Sequence, residues 1–253
     1  MSAEFDEYAD SYGDAVDRSV AFVGKDVDHY ARRKVDHLLD LVQRRLGDPG
    51  RISAVDVGCG VGITDSFLAG RLGVLHGVDT AADAVERAAT RNPSVRYQVY
   101  DGVELPFPDG ELDLAFAICV AHHVSPGERP AFAAELHRVV RPGGMVVLFE
   151  HNPLNPLTRI AVSRCEFDKG VTLLTRGHAS ALLAGAGLLL AERRFIVFLP
   201  LEGPTAQRVD RVLRQVPFGA QHYVAAHRPL VGSAGQGATL GGLDGGLDSG
   251  GGE

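Results

Sequence analysis

The sequence predicts a doubly wound α/β domain, and three observations carry that prediction. Strand-like hydrophobic runs alternate with helical stretches from residue 52 to residue 151, a glycine-rich turn follows the first run, and an acid stands at the end of each of the first three. Such alternation implies right-handed βαβ crossovers and a mostly parallel sheet covered on both faces.

Taken in order, residues 4–46 are helical in character, with Val27, Tyr30, Val35, Leu38, Leu39 and Val42 recurring at helical spacing. ISAVDVG (52–58) reads as a buried strand, a helix starts near Thr64, VLHGVD (74–79) is a strand, 81–91 a helix, and VRYQVY (95–100) a strand. LDLAFAICV (112–120) is the fourth strand. A helix over 128–140, ended by Pro142-Gly143-Gly144, leads into MVVLFEH (145–151). Residues 152–175 hold Pro153 and Pro156, show no clear period, and read as an insertion or lid. A helix over 177–185, a strand within 188–199, a helix over 205–215 and a strand over 220–228 follow, and the closing pair of strands suits an antiparallel edge. From Val231 to Glu253 glycine and small residues dominate, and a disordered tail is expected.

Composition bounds the function. At 253 residues, 45% hydrophobic and 23% charged, one soluble domain is the expectation. The net charge of -7 argues against a nucleic-acid partner, and the Arg32, Arg33, Lys34 and Arg44, Arg45 groups read as solvated helix faces. No apolar run approaches the roughly 20 residues of a membrane span. The N-terminus is acidic, so a cytoplasmic protein is expected. Cys59, Cys119 and Cys165 are scattered, which predicts reduced thiols and no metal site; Cys59 and Cys119 read as small packing residues.

The most informative stretch is Val55-Asp56-Val57-Gly58-Cys59-Gly60-Val61-Gly62-Ile63-Thr64, a strand running through three glycines into a helix. Glycine lets the chain turn sharply and lets a ligand approach the backbone. The spacing is GxGxG, and isoleucine stands at position 63 where a dinucleotide fingerprint needs glycine. Asp79, with Thr80 after it, ends the second strand where a ribose diol would be bound. Asp101 follows the third strand, so Asp56, Asp79 and Asp101 should face one crevice. Together they predict an adenosine ligand.

VDVGCGVG, GVD, DGVELPFPDGELDLAFAICVAHHV and LHRVVRPGGMVVLFE resemble the class I S-adenosylmethionine-dependent methyltransferases, specifically the UbiE/type 11 group, over roughly residues 35–229. The resemblance implies a seven-stranded sheet with an antiparallel last strand. It implies that Gly58, Gly60 and Gly62, with Asp56 nearby and Cys59 between them, hold the methionine portion of S-adenosylmethionine. Asp79 and Thr80 would meet the ribose, Asp101 and Gly102 the adenine edge, and Cys119 and Val120 would line the cofactor. It makes residues 1–45 a helical lid on a domain spanning 46–230, with Tyr12, rather than Phe5 or Tyr8, as the contact.

Methyl transfer from a sulfonium needs chiefly alignment, and a base only where the acceptor must lose a proton. His122 and His123 after the fourth strand and His151 after the fifth stand at the crevice mouth, with Asn152 next to them; His123 and His151 are the candidate bases, and all four are candidate acceptor contacts. Similar EHNPxNP stretches occur in type 11 methyltransferases of bacterial sugar and natural-product pathways. The (N/D)PP(Y/F) run of adenine-N6 enzymes and the Pro-Cys pair of cytosine-C5 enzymes are both missing. The expected reaction is methylation of a small molecule at O, N or C by a monomer or homodimer. The rivals are an NAD(P)-linked oxidoreductase on the same sheet, and a protein that binds S-adenosylmethionine without transferring methyl.

Overall fold

The computed structural model describes residues 26–165, 167–168, 170–199 and 203–230. The expected contacts of Phe5, Tyr8 and Tyr12 and the expected disorder of 231–253 lie outside the described residues. Helix α1 (Val27–Arg45) is opened by Asp26, whose carboxylate accepts from the His29 N–H at 2.9 Å, and closes on Arg44 and Arg45, the charge order a helix dipole favours.

Strands β1 (Ser53–Val57), β2 (Val74–Asp79), β3 (Arg96–Val99), β4 (Leu112–Ile118), β5 (Val140–His151), β6 (Leu189–Ile196) and β7 (Gln221–His227) form one sheet in the order β3-β2-β1-β4-β5-β7-β6. Pairing is parallel from β3 to β5, and β7 runs antiparallel to both its neighbours. Helices α2 (Ile63–Leu68), α3 (Ala82–Arg91), α4 (Arg129–Val139), α5 (Pro156–Arg164), α6 (Arg176–Gly185) and α7 (Gly203–Leu213) complete the chain. Both faces are buried, and the side chains alternate between them. Ala54, Leu114, Phe116, Met145, Val147 and Phe149 pack under α1 with Leu38 and Val42, whereas Val55, Val57, Ala115, Ala117, Val146 and Leu148 pack against Leu136 and Val139 of α4 and Leu183 of α6.

The closing strands form the antiparallel edge that the sequence suggests, β6 outermost and β7 between β5 and β6, so the β7 backbone pairs on both sides and six of its seven residues, Gln221 to Ala226, are buried. Two details differ from the sequence expectation. β5 begins at Val140 rather than 145: Leu112 pairs with Val140 and Leu114 with Met145, so Pro142-Gly143-Gly144 forms an irregularity within the strand, where a proline is tolerated. Residues 152–175 contain α5, capped by the Asn155 side chain on the N–H groups of Leu157 and Thr158, with Pro156 at the first helical position.

Strand order reverses between β1 and β4, and a crevice opens beyond the carboxyl ends of the strands at that reversal. Among the described residues no helix is long and apolar enough to cross a membrane.

Candidate active site

The crevice is a cavity of about 730 Å³, within the range of small-molecule sites. Asp56, Gly58, Cys59, Gly60, Asp79, Thr80, Asp101, Gly102, Cys119, Val120, His123 and His151, all named from sequence, line it together. Gly62, His122 and Asn152 do not. A Cβ on Gly62 would meet Asn92 Nδ2 at 2.7 Å and the Tyr97 hydroxyl at 2.8 Å, so this glycine seats the loop on α3 and β3. The Asn152 amide donates to the carbonyls of Pro217 and Gly219 at 3.0 and 2.7 Å and braces the β7 entry. His122 lies one layer behind the cavity wall, fully enclosed.

The glycine loop is shaped for close approach. Gly58 and Gly60 have φ of 79° and 52°, a region glycine enters freely. A Cβ on Gly58 would strike Val120 at 2.5 Å, while Gly60 faces open space. The loop N–H groups are already used: Gly58 and Cys59 donate to the Val78 carbonyl, Gly62 to the Cys59 carbonyl, and Gly60 to Asp79 Oδ2 at 2.8 Å. A pyrophosphate would need those donors, so the loop does not suit a dinucleotide. Asp79 also accepts from Ala81 N–H at 3.0 Å. A carboxylate has about four acceptor positions, which leaves capacity for a diol. Asp101 accepts from the N–H groups of Val103 and Glu104 through Oδ1, so it braces its own turn as well as lining the cavity.

Two charged groups at the other end of the loop sharpen the picture. Asp56 is 2% exposed, and among the described residues its Oδ1 makes no hydrogen bond of standard geometry, with the Asp65 carboxyl as its near neighbour. Lys34 lines the same cavity, 8% exposed, with Cys119 Sγ at 4.0 Å as its hydrogen-bonding contact. An orphaned carboxylate oxygen and a buried ammonium in one pocket suit an α-amino acid, which brings the opposite charge to each. Lys34 was assigned from sequence to a solvated face. The structure corrects this: it sits one turn after Tyr30 on the inward stripe of α1, beside Arg33, which is 1% exposed and bonded to Asp210. The signal was its position four residues after Tyr30 and four before Leu38. Arg44 and Arg45 likewise bind Glu192 on β6 instead of facing water alone.

At the acceptor end, β4, β5 and the segment after α5 bring together His122, His123, His151, Glu150 and Asp168. His122 Nδ1 lies 2.5 Å from Glu150 Oε2, and His122 Nε2 lies 3.3 Å from Asp168 Oδ1. His123 Nε2 is 3.4 Å and His151 Nε2 4.0 Å from the same carboxylate. Burial opposes charge on His122, but Glu150 and Asp168 outweigh it and push its pKa up to about 10. Burial, with the charge on His122, pushes His151 down to about 4 and leaves it neutral. Asp168 is held far below the usual carboxylate range against its burial, by His122 and His123. The Arg129 guanidinium fixes the loop by donating to the carbonyls of Ala121, Val124 and Thr172. Glu150 and Asp168 were not singled out from sequence, because only the folded chain shows that they share the histidine pair. Cys119 and Val197, both cavity residues, hold φ of 59°, a strained conformation for side-chain-bearing residues.

Residues 55–148 match the family described as "Methyltransferase domain". They form a class I S-adenosylmethionine-dependent methyltransferase domain of the type 11 group. That methyltransferase domain spans β1 to most of β5, and so includes the glycine loop, Asp79, Asp101 and the histidine pair. Over 108 residues the chain is 33% identical to the 2-methyl-6-phytyl-1,4-hydroquinone methyltransferase of Synechocystis, covering 41% of this chain and 33% of that protein. It is 28% identical over 218 residues to the ubiquinone biosynthesis O-methyltransferase of Methylobacterium nodulans, covering 78% and 84%. The matched segments span about a third to a half of the first curated relatives. The S-adenosylmethionine-dependent methyltransferase of Thermotoga maritima superposes with a TM-score of 0.62 at 18% identity over 90% of this chain and 100% of that one, a likeness of fold.

Proposed function

We propose that the protein transfers a methyl group from S-adenosylmethionine to O, N or C of a small-molecule acceptor, releasing S-adenosylhomocysteine. The observation that carries the reading is the presence in one cavity, beside the glycine loop, of the buried Asp56 carboxyl, with an unbonded Oδ1 among the described residues, and of the buried Lys34 ammonium. The sulfonium supplies an electrophilic methyl with an excellent leaving group. Asp56 receives the α-ammonium of the methionine portion and Lys34 its carboxylate. Asp79 with Thr80 holds the ribose, and Asp101 with Gly102 the adenine edge. Gly58 and Gly60 leave room for the chain between them, and Cys119 and Val120 close the wall. With the amino acid and adenosine ends fixed, the methyl is aimed at the histidine-lined end, and alignment of this kind supplies much of the rate.

His123 and His151 line that end, and the neutral His151 can accept a proton from a hydroxyl acceptor. His122 acts through its neighbours as a positioning residue. Relatives named for hydroquinone and tocopherol methylation support a small acceptor. We place the protein in the cytoplasm, as a monomer or homodimer without a nucleic-acid partner, in a bacterial secondary-metabolite or sugar pathway. We also keep residues 1–45, including Tyr12, as a lid over the cofactor.

Calorimetry with S-adenosylhomocysteine and with NADH, followed by a labelled-methyl assay against an acceptor panel, tests this reading. Tight S-adenosylhomocysteine binding and label transfer are expected. NADH binding without S-adenosylhomocysteine binding would overturn it.

A further inference from the structure

We propose that His122, His123 and Asp168 bind a divalent transition-metal ion, zinc or iron(II), at the acceptor end of the cavity. One ligand atom from each of the three lies within 4.8 Å of the others. Both imidazole Nε2 atoms converge on Asp168 Oδ1, at 3.3 and 3.4 Å. These spacings exceed the roughly 2.7–2.9 Å of a charge-assisted hydrogen bond. They agree instead with the roughly 3.0–3.5 Å between ligands that each stand about 2.0–2.2 Å from a shared ion.

The surroundings are those a metal-binding histidine needs. His122 Nδ1 is held by Glu150 Oε2 at 2.5 Å, and the Ala121 N–H donates to Glu150 Oε1 at 2.9 Å. An ion arriving here displaces the Nε2 proton of His122 to solvent, while the carboxylate on the far nitrogen keeps the Nδ1 proton in place and turns the freed Nε2 lone pair towards the ion. Two imidazoles and one carboxylate suit zinc or iron(II) better than magnesium or calcium, which prefer oxygen alone. Three protein ligands leave a position open, and His123 and Asp168 both line the cavity, so that position faces the acceptor. No local spacing signals the cluster, because Asp168 joins the histidine pair from 46 residues away. An ion there would hold an acceptor through a hydroxyl or phenol oxygen and make it more acidic. That role rests on the methyl-transfer reading, whereas binding of the ion does not.

The test uses the full chain made without a histidine tag, stripped with chelator, and titrated with cobalt(II) chloride followed by visible absorption, with zinc chloride as competitor. One equivalent of cobalt per chain, displaced by zinc, is expected, without a sulfur charge-transfer band. Asp168→Asn and His123→Gln should each weaken binding at least about tenfold while keeping wild-type affinity for S-adenosylhomocysteine, which reports an intact fold. Uptake below one equivalent, a cysteine charge-transfer band in the wild type, or unchanged affinity in both variants would overturn the proposal. Cobalt binding with no S-adenosylhomocysteine binding would uphold the ion site and sink the cofactor reading instead.

Discussion

A carboxyl as enclosed as that of Asp56 ionises only when a cation reaches it. Burial, then Asp65 and Asp79, push its pKa well above the ordinary value, with Lys34 working in the opposite sense. Asp65, bonded to the Tyr97 hydroxyl at 2.8 Å, is itself pushed up to about 6 by burial. The α-ammonium of a bound cofactor opposes this upward shift and favours the ionised carboxylate. The complex has the lower Asp56 pKa, so binding releases a proton at pH values between the two, and affinity rises with pH through that window. Calorimetry of S-adenosylhomocysteine binding in buffers of different ionisation enthalpy should register this release, and Asp56→Asn should abolish both it and the pH slope. An unchanged slope in the variant would remove Asp56 from the site. Asp79 lies on the same wall but answers a different question. Asp79→Ala strips the acceptor for the diol and also frees the Gly60 and Ala81 N–H groups. Cofactor affinity should fall more than about tenfold, and equal affinity would refute the ribose assignment.

At the scale of elements, α5 shows how a short capping signal shapes the acceptor side. Leu157, Thr158, Ala161 and Val162 of this helix line the cavity, and Asn155 both caps it and donates to the Phe218 carbonyl at 2.6 Å. Asn155→Ala should cost about 1 kcal/mol of stability. It should also raise amide exchange over residues 156–164 while leaving exchange in β1 and β4 unchanged, as hydrogen-exchange mass spectrometry would read. Uniform loosening would mean that α5 is not an independently capped unit. The same helix marks where the sequence stopped being legible. Strands β1 and β4 were readable because burial on both faces demands nearly unbroken apolar runs, and the glycine loop because left-handed φ demands glycine. α5 has only a weak apolar stripe, so its Asn-Pro start was the sole local sign. Gly62 looked like a ligand contact because spacing cannot say which side of a turn faces the cavity. His122 lies in the turn after β4 and Asn152 just past β5, next in sequence to cavity residues, yet both are enclosed by protein, which only the folded turns reveal. Lys34 and Arg33 were hidden for the converse reason: a charge on a helix reads as exposed until its partner, here a cavity or Asp210, arrives from elsewhere in the chain.

Across the whole molecule, Asp210 joins distant parts of the chain to the active-site wall. Its Oδ2 accepts from Arg33 at 2.5 Å and lies 2.8 Å from His37 Nε2, while the N–H groups of Val197 and Phe198 donate to the same carboxylate at 3.0 and 3.1 Å. The group thus ties α1 to α7 and to the strained end of β6, and α1 carries Tyr30 and Lys34 into the cavity. Among the described residues Arg33 Nε and Nη1 have no partner of their own, so its charge leans on this carboxylate. Asp210→Asn leaves a buried guanidinium without its counter-charge, a loss on the order of 3–5 kcal/mol. Chemical denaturation should show a drop of that size, and S-adenosylhomocysteine affinity should fall with it, because Lys34 follows Arg33 on the same helix. Arg33→Met combined with Asp210→Leu removes both charges and should recover most of the stability, since an apolar pair of similar volume avoids the desolvation cost. It should recover less of the affinity, because the Val197 and Phe198 N–H groups lose their acceptor and the β6 end that borders the cavity loosens. Full recovery of both would mean that Asp210 serves only to neutralise Arg33; recovery of stability alone would assign it the shaping of the pocket as well.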